Sequence, residues 1–132
     1  LPIIFPVHPR TGKILDSLRL DHEHLHAINP LGYLEFNYLV KNAKAVITDS
    51  GGITEETTVM GIPCMPLRNN TERPETVKLG TNILLGTNPK AIKPAMEKLF
   101  SGKWKKGSIP EKWDGKTAER IVSILTKMKN LD

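Results

Sequence analysis

Short apolar runs alternate along the chain with longer segments in which apolar residues recur at helical spacing. Because a strand buried on both faces reads as a continuous apolar run, the short runs predict β-strands. Pro6 indicates the C-terminal end of the first of them. The predicted strands are Ile3 to Val7, "LHAI" at residues 25–28, Ala45 to Thr48, Pro63 to Leu67 and Asn82 to Leu85.

The segments with helical spacing predict helices between these strands. Thr11 is a candidate cap for the first helix, Gly61 for the end of the third, and Pro74 suits the first position of a short fourth. The predicted helices are Thr11 to about Leu20, Tyr33 to Ala43, Ile53 to Met60, a short one from Pro74, Ala91 to Phe100, and Thr117 to Met128. The alternation predicts a doubly wound α/β fold with one parallel sheet covered on both faces.

The length of 132 residues fits a single domain. Cys64 is the only cysteine, so it has no partner for an internal disulfide, and its apolar neighbours predict a buried thiol in a reducing, cytoplasmic setting. No apolar run approaches the roughly 20 residues that span a bilayer, so we expect no membrane partner. The chain starts without Met in a strand-like segment, and we expect it to be part of a longer protein.

The net charge of +5 comes from the region after Lys90, where lysines outnumber acids. A basic tail of this kind is one signature of a nucleic-acid-binding module. Here the lysines are scattered along helical segments and only Trp104 and Trp113 lie among them, so the pattern favours a solvated helix face and no nucleic-acid partner.

Ligands of doubly wound sheets bind beyond the carboxyl ends of the strands. The loop after Thr48 contains Ser50, Gly51 and Gly52 and leads directly into a helix. Glycines leave the backbone open, and the free N–H groups at a helix N-terminus favour phosphate. The motif lacks the P-loop lysine and the GxGxxG spacing. It is therefore either a phosphate cradle or only a tight turn.

Two acids and two arginines extend this candidate site. Glu55 and Glu56 either complement the helix dipole, or one of them binds a ribose diol; adjacent helical residues point about 100° apart, so at most one faces the loop. Arg68 and Arg73 follow the next strand. Either arginine can bind phosphate with its planar fork, or pair on the surface with Glu72 or Glu75.

The histidines do not predict a metal site. His22, His24 and His26 alternate, so they share one side of an extended segment, but no cysteine or acid cluster completes a ligand set. His8, at the carboxyl end of the first strand, is either a ligand contact or a partly buried polar cap.

Several segments taken together resemble the C-terminal domain of the non-hydrolysing UDP-N-acetylglucosamine 2-epimerases. They are "DSGGITEE" from Asp49, "GIPCMPLRNNTERPE" from Gly61, "GTNILLGTN" from Gly80 and "PLGYLEFNYLVKNA" from Pro30. The resemblance implies the Rossmann-like C-terminal domain of a two-domain, glycosyltransferase-B-type enzyme. Such an enzyme interconverts UDP-GlcNAc and UDP-ManNAc by eliminating UDP to give 2-acetamidoglucal and adding it back. The resemblance implies that no cofactor and no metal are required.

The family pattern assigns roles that the residues alone left open. It places Ser50, Gly51 and Gly52 on the diphosphate, Glu56 on the ribose hydroxyls and Arg73 on a phosphate. Loss of Arg73 is therefore expected to weaken UDP binding more than loss of Arg68.

The pattern also assigns residues outside the glycine loop. Phe36 falls where the family packs an aromatic ring beside the uracil. Leu31 falls where many members have glutamine, so it can contribute only a backbone contact. His8 is a candidate contact of a second, regulatory UDP-GlcNAc, although "PVHPRT" departs from the "PVHxNP" of many bacterial members, and regulation is not implied.

The family's acid and base carboxylates belong to the N-terminal domain, so the resemblance implies no catalytic residue in this chain. We expect residues 1–132 to bind UDP weakly and to show no epimerisation alone. The implied partners are the N-terminal domain, against which the last helix packs, and a second copy in a full-length homodimer. The rival within the same fold is the donor-nucleotide domain of a glycosyltransferase, against which "TERPE" followed by "GTN" argues.

Overall fold

A computed structural model of the protein describes residues 1–18 and 22–129. The chain divides into two compact units, Leu1–Leu39 and Val40–Asp132. Each unit contains one pair of parallel strands. Across the described residues, no helix is both long enough and apolar enough to cross a bilayer.

The first unit contains two strands with a helix between them in the chain. β1 (Ile3–Pro6) pairs in parallel with β2 (Leu25–Ile28), and α1 (Pro9–Leu18) lies between them in sequence. α2 (Tyr33–Asn42) begins in this unit, as the helical spacing predicts. The predicted bounds of both strands are confirmed to within one residue.

The prediction that Thr11 caps the first helix is wrong. α1 begins at Pro9, and the His8 carbonyl accepts the N–H groups of Thr11 at 2.8 Å and Gly12 at 3.0 Å. Proline suits the first turn because its missing N–H has no helical partner there and its φ is already helical. The predicted end at Leu20 lies outside the described residues.

The second unit contains the other parallel pair and the remaining helices. β3 (Val46–Thr48) pairs with β4 (Cys64–Pro66), and α3 (Gly51–Met60) lies between them in sequence. Gly61 ends α3 in the left-handed conformation, with φ of 71°, as predicted. The later helices are α4 (Pro74–Lys78), α5 (Ile92–Phe100), preceded by a 3₁₀ turn, and α6 (Thr117–Lys129).

The predicted strand from Asn82 to Leu85 is reduced to a single bridge between Asn82 and Cys64. Ile83 and Leu85 still donate backbone hydrogen bonds to the Cys64 and Pro66 carbonyls, each at 3.0 Å. The segment therefore extends the β4 edge without forming a regular ladder. The side chain of Asn82 explains the difference, because it turns into a polar network under α3.

An apolar core lies against β4. Met65 is fully buried and packs with Ala95 and Leu99 of α5, and Trp104 is among the partly buried residues around them. The Trp104 indole N–H donates to the Thr81 carbonyl at 2.8 Å, so the loop after α5 is tied to this core. A buried strand of this kind is what its continuous apolar sequence predicts.

The face of α3 opposite to solvent is polar and nevertheless buried. Thr54, Thr57 and Thr58 are at most 4% exposed, and Asn82 is fully buried beside them. The Asn82 amide donates to the Thr54 carbonyl at 3.0 Å, and its oxygen accepts from the Thr57 hydroxyl at 3.4 Å. We call these four residues the Thr–Asn network. Its buried polar groups are hydrogen-bonded, which removes most of the cost of burying them.

Gly80 is required by the packing around this network. A Cβ at Gly80 would lie 2.6 Å from the Thr58 side chain and 2.6 Å from the Thr76 carbonyl oxygen. Real side chains do not approach that closely, so only glycine fits. The "GTN" motif therefore has a packing role in this structure.

Candidate functional site

The Ser-Gly-Gly sequence forms the start of α3. Ser50 precedes the helix in extended conformation and makes no side-chain capping hydrogen bond, while Gly51 and Gly52 form the first helical turn. This is two residues earlier than the predicted start at Ile53. The first N–H groups of the helix lack intrahelical acceptors and lie at the positive end of its dipole. Gly51 and Gly52 thus belong to the helix itself, and Ser50 does not cap the helix with its side chain.

A polar cleft of about 140 Å³ opens at this end of α3. Its other wall is the loop after β4. The lining residues combine glycine backbone, hydroxyl groups and charges of both signs: Gly51, Gly52, Thr54, Glu55, Arg68, Thr71, Glu72 and Arg73. Of the residues predicted to bind the diphosphate, the cleft brings together Gly51, Gly52 and Arg73, and Ser50 adjoins it in the chain.

Arg73 is held at the cleft by Glu55. The Arg73 Nε–H donates to Glu55 Oε1, and this hydrogen bond, with the charge of Glu55, raises the pKa of Arg73 above its ordinary value. The Arg73 backbone is also anchored, since its N–H donates to Thr71 Oγ1 at 3.1 Å and its carbonyl accepts from Thr76 Oγ1 at 2.8 Å. The alternative pairing with Glu72 or Glu75 is not the one observed.

Arg68 reaches the same cleft from a different position. Its Nη1 lies 3.3 Å from where a Cβ of Gly51 would be, so the guanidinium rests against the first turn of α3. No carboxylate of the described residues lies within ion-pair distance of Arg68. Both arginines left open by the sequence are therefore at the cleft, but only Arg73 is held by an acid.

The two adjacent acids diverge, as their helical positions predict. Glu55 lines the cleft, whereas Glu56 does not. Glu56 is half-buried, and its Oε2 is a buried oxygen with no hydrogen-bond partner among the described residues. The assignment of Glu56 to a ribose stays a prediction.

The other predicted contacts belong to the first unit. Leu31 lines an apolar groove with Ile4, Ile28 and residues of α2. Phe36 is half-buried in the first turns of α2. His8 is an exposed residue between β1 and α1. The roles assigned to these three residues stay predictions.

The remaining histidines do not share one side of a strand. His22 and His24 lie in the turn before β2, with their ring centroids 5.6 Å apart, and only His26 is in the strand. Over residues 1–18 and 22–129, no three His, Cys, Asp or Glu side chains are grouped as metal ligands.

Cys64 is fully buried in β4, as predicted. Burial raises the pKa of its thiol to about 11, which outweighs the lowering effect of the hydrogen bond with Thr57. A thiol with that pKa is protonated at neutral pH and is a poor nucleophile. Cys64 therefore has a packing role.

Sequence reasoning missed the Glu55–Arg73 pair. The pair joins residues 18 positions apart in different elements, and neither local spacing nor helix periodicity connects them. The one available signal was that Glu55 and Arg73 each follow a predicted strand, in the helix after Thr48 and in the loop after Leu67, and the carboxyl ends of parallel strands meet at one edge of a sheet.

Parallel strand pairs with helices between their strands in the chain define a protein of the Rossmann-like α/β class, and in the second unit a polar cleft with two arginines lies at a helix N-terminus. A family model described as UDP-N-acetylglucosamine 2-epimerase matches residues 1–126. The chain belongs to this family.

Individual relatives agree with the family match. The chain is 46% identical over 131 residues to the UDP-N-acetylglucosamine 2-epimerase of Methanocaldococcus jannaschii, with 94% of this chain and 35% of that protein covered. It is similar to the crystal structure of the M. jannaschii UDP-GlcNAc 2-epimerase in complex with UDP-GlcNAc and UDP. That match has a TM-score of 0.80 and 45% identity over 96% of this chain and 36% of the other.

A second solved structure is the UDP-GlcNAc 2-epimerase of Neisseria meningitidis bound to UDP-GlcNAc. The match to this structure has a TM-score of 0.81 and 32% sequence identity, and it covers 96% of this chain and 36% of the N. meningitidis chain. The predicted family and Rossmann-like α/β fold are confirmed. The chain spans about a third of the length of the relatives it matches.

Proposed function

We propose that this chain is the UDP-binding, C-terminal domain of a longer epimerase that interconverts UDP-GlcNAc and UDP-ManNAc. The observation that carries the proposal is the cleft in which the glycine turn of α3 faces Arg68 and Arg73. The family match supports the identity of the ligand, because a similar protein has been solved in complex with UDP-GlcNAc and UDP.

The proposed contacts follow the polarity of the ligand. Ser50 and the backbone of Gly51 and Gly52 bind the diphosphate at the positive end of the α3 dipole. Arg73 binds a phosphate through its guanidinium. Glu56 accepts hydrogen bonds from the ribose hydroxyls, and its unpartnered buried oxygen supports this role.

The proposed contacts of the uracil follow the family pattern. Phe36 packs beside the base, and Leu31 contributes a backbone contact. His8 is proposed only as a contact of a second, regulatory nucleotide sugar.

In the proposed reaction the chain holds the leaving group. A base of the N-terminal domain removes the C2 proton while the bond between C1 and the β-phosphate oxygen breaks, which gives 2-acetamidoglucal and UDP. Negative charge grows on the phosphate oxygens as the bond breaks. Helix N–H groups and an arginine already aimed at that position stabilise the charge without reorganising. Re-addition of UDP to the glucal, with a proton returned to the other face of C2, completes the epimerisation.

The proposed partners are the N-terminal domain and, in the full-length protein, a second copy in a homodimer. The apolar face of α6 supports the first of these. Its large apolar residues are at least half exposed: Ile121, Val122, Ile124, Leu125 and Met128. An apolar stripe of that length usually packs against another element. We propose a cytoplasmic setting, supported by the buried free thiol of Cys64.

Titration calorimetry with UDP, UDP-GlcNAc and GDP tests the proposal. We expect the full-length protein to bind the two uridine ligands more tightly than GDP, and the 132-residue chain to bind UDP more weakly and show no epimerisation. Indifference of the full-length protein to all three nucleotides would contradict the ligand assignment. Turnover by a pure preparation of the 132-residue chain would show that the catalytic groups lie within it.

A further inference from the structure

The side chain of Arg73 is engaged through one of its nitrogens only. Nε donates to Glu55 Oε1, and among the described residues Nη1 and Nη2 have no hydrogen-bond partner. A guanidinium carries five N–H donors in a fixed plane, so the bond at Nε leaves four donors on the two Nη atoms. Those four form the fork that binds phosphate oxygens in bidentate fashion.

The bond from Nε also fixes the plane of that fork. Arginine has a long side chain whose rotamer freedom must be lost when it binds a ligand. The Arg73 backbone is anchored on both sides by Thr71 and Thr76, and Glu55 restrains the far end of the side chain. The Glu55 and Arg73 side chains are 38% and 56% exposed, so the pair lies at the mouth of the cleft and not in the core.

We propose that Glu55 is a positioning residue that holds Arg73 with its Nη fork turned toward the phosphates of the bound nucleotide. The inference rests on the proposed function and assigns the second member of the adjacent acid pair: Glu56 contacts the ligand, and Glu55 acts through Arg73. The arrangement also accounts for an acid in a cleft for an anion, because the charge of Glu55 is compensated by Arg73.

A positioning role and a structural role make different demands on this ion pair. Exposed ion pairs contribute little to stability. The contribution of Glu55 is therefore expected in phosphate binding and not in the unfolding of the apoprotein. The pair between Asp114 and Arg120 provides a matched control, since its side chains are 45% and 38% exposed and it joins the loop before α6 to the first turn of that helix, outside the lining of the cleft.

The experiment compares UDP and uridine binding to full-length Glu55→Ala, Glu55→Gln, Arg73→Ala and the double variant by calorimetry. We expect Glu55→Ala to weaken UDP binding roughly tenfold, which corresponds to the loss of one charge-assisted hydrogen bond of about 1.4 kcal/mol. Uridine binding should be unchanged, and Glu55→Gln, which keeps an oxygen acceptor for Nε, should recover most of the UDP affinity. In the Arg73→Ala background, Glu55→Ala should have no further effect. Asp114→Ala should leave both ligands unaffected.

Three results would overturn the positioning role while the proposed function stands. They are unchanged UDP binding by Glu55→Ala, an equal loss of UDP and uridine binding, and losses that add in the double variant. Failure of the unsubstituted protein to bind UDP would instead overturn the proposed function, and the positioning role with it. Thermal unfolding of each apoprotein provides the check on folding, and we expect the unfolding midpoint of Glu55→Ala to match that of Asp114→Ala.

Discussion

The helix α3 has two contrasting surroundings. At its N-terminus, Gly52 faces open space, since a Cβ there would meet no atom within 4 Å, whereas a Cβ at Gly51 would lie 3.3 Å from Arg68 Nη1. Along its inner face the helix packs against Asn82 and Gly80. A Cβ at Gly80 would lie 2.6 Å from the Thr58 side chain and from the Thr76 carbonyl oxygen. Glycine therefore occupies two opposite settings: at Gly52 a side chain would enter open space, and at Gly80 there is no room for one.

Thr54 connects the two regions. Thr54 is among the residues that line the cleft, and its backbone carbonyl accepts the amide of Asn82 at 3.0 Å. The helix turn that faces the cleft is thus tied by a buried hydrogen bond to Asn82. We therefore expect the packed face of α3 to fix the position of the helix N-terminus.

The largest effect is expected at Gly80, where there is no room for a side chain. Gly80→Ala forces a methyl group against the Thr76 carbonyl and the Thr58 side chain, and overpacking of this kind costs about 3 kcal/mol. Urea unfolding followed by circular dichroism measures it. Gly52→Ala is the matched control, because the same methyl enters open space. Equal unfolding free energies for the two variants would remove the contrast between the regions.

The buried thiol predicts a pH dependence of stability on the packed side. The pKa of Cys64 is raised from 9.0 to about 11 in the folded protein, so the unfolded chain loses the proton first as pH rises. Ionisation of Cys64 leaves the free energy of unfolding unchanged below pH 9.0. Between pH 9.0 and about 11 the free energy of unfolding falls, by about 3 kcal/mol in total.

Unfolding of the unsubstituted protein and Cys64→Ala across this pH range measures the effect. The difference between them should change with pH only above pH 9.0. A difference that is constant from pH 7 to pH 11 would show that burial does not control the ionisation of this thiol.

At the cleft, Arg73→Ala is expected to weaken UDP binding by about 2 kcal/mol, or roughly 30-fold, because charge-assisted hydrogen bonds are lost. Arg68→Ala should cost less, since within the described part of the chain no acid pairs with Arg68, which therefore loses more side-chain freedom on binding. Calorimetry with UDP measures both. Equal losses would show that orientation by Glu55 does not distinguish the two arginines.

The smallest effect is expected for Gly52→Ala, and it has opposite signs in stability and binding. Alanine favours the helix over glycine, so unfolding should require slightly more free energy, about 0.5 kcal/mol. The methyl group occupies space in the cleft, so UDP affinity should fall by about 1 kcal/mol, or several-fold. A variant that is both less stable and unchanged in UDP affinity would contradict the description of Gly52 as a residue facing open space.

The sequence predicted the elements well because each has a local signal. Continuous apolar runs marked β1 to β4, and the left-handed glycine at Gly61 marked the end of α3. The predicted start of α1 was wrong because the possible cap at Thr11 was given more weight than Pro9, which suits the first helical position. The strand from Asn82 was overpredicted because its polar first residue serves the Thr–Asn network.

The candidate site was predicted in part. Helix-dipole chemistry pointed to Ser50, Gly51 and Gly52, but the pairing of Glu55 with Arg73 depends on two elements meeting in three dimensions. The burial of three threonines on one helix face was also beyond local reasoning, because threonine is usually exposed and its burial depends on Asn82. Long-range polar contacts are the part of the fold that composition and spacing do not encode.

The connection through Thr54 has a consequence for the genetics of this protein. α3 has 10 residues and is therefore about 15 Å long, so a tilt of only about 4° about its C-terminal end moves the N-terminal amides by about 1 Å. Displacement of that size is enough to weaken hydrogen bonds to a ligand. Inherited changes at Thr57 or Asn82, which touch no ligand, should therefore be found in screens for lost nucleotide binding as readily as changes in the glycine turn.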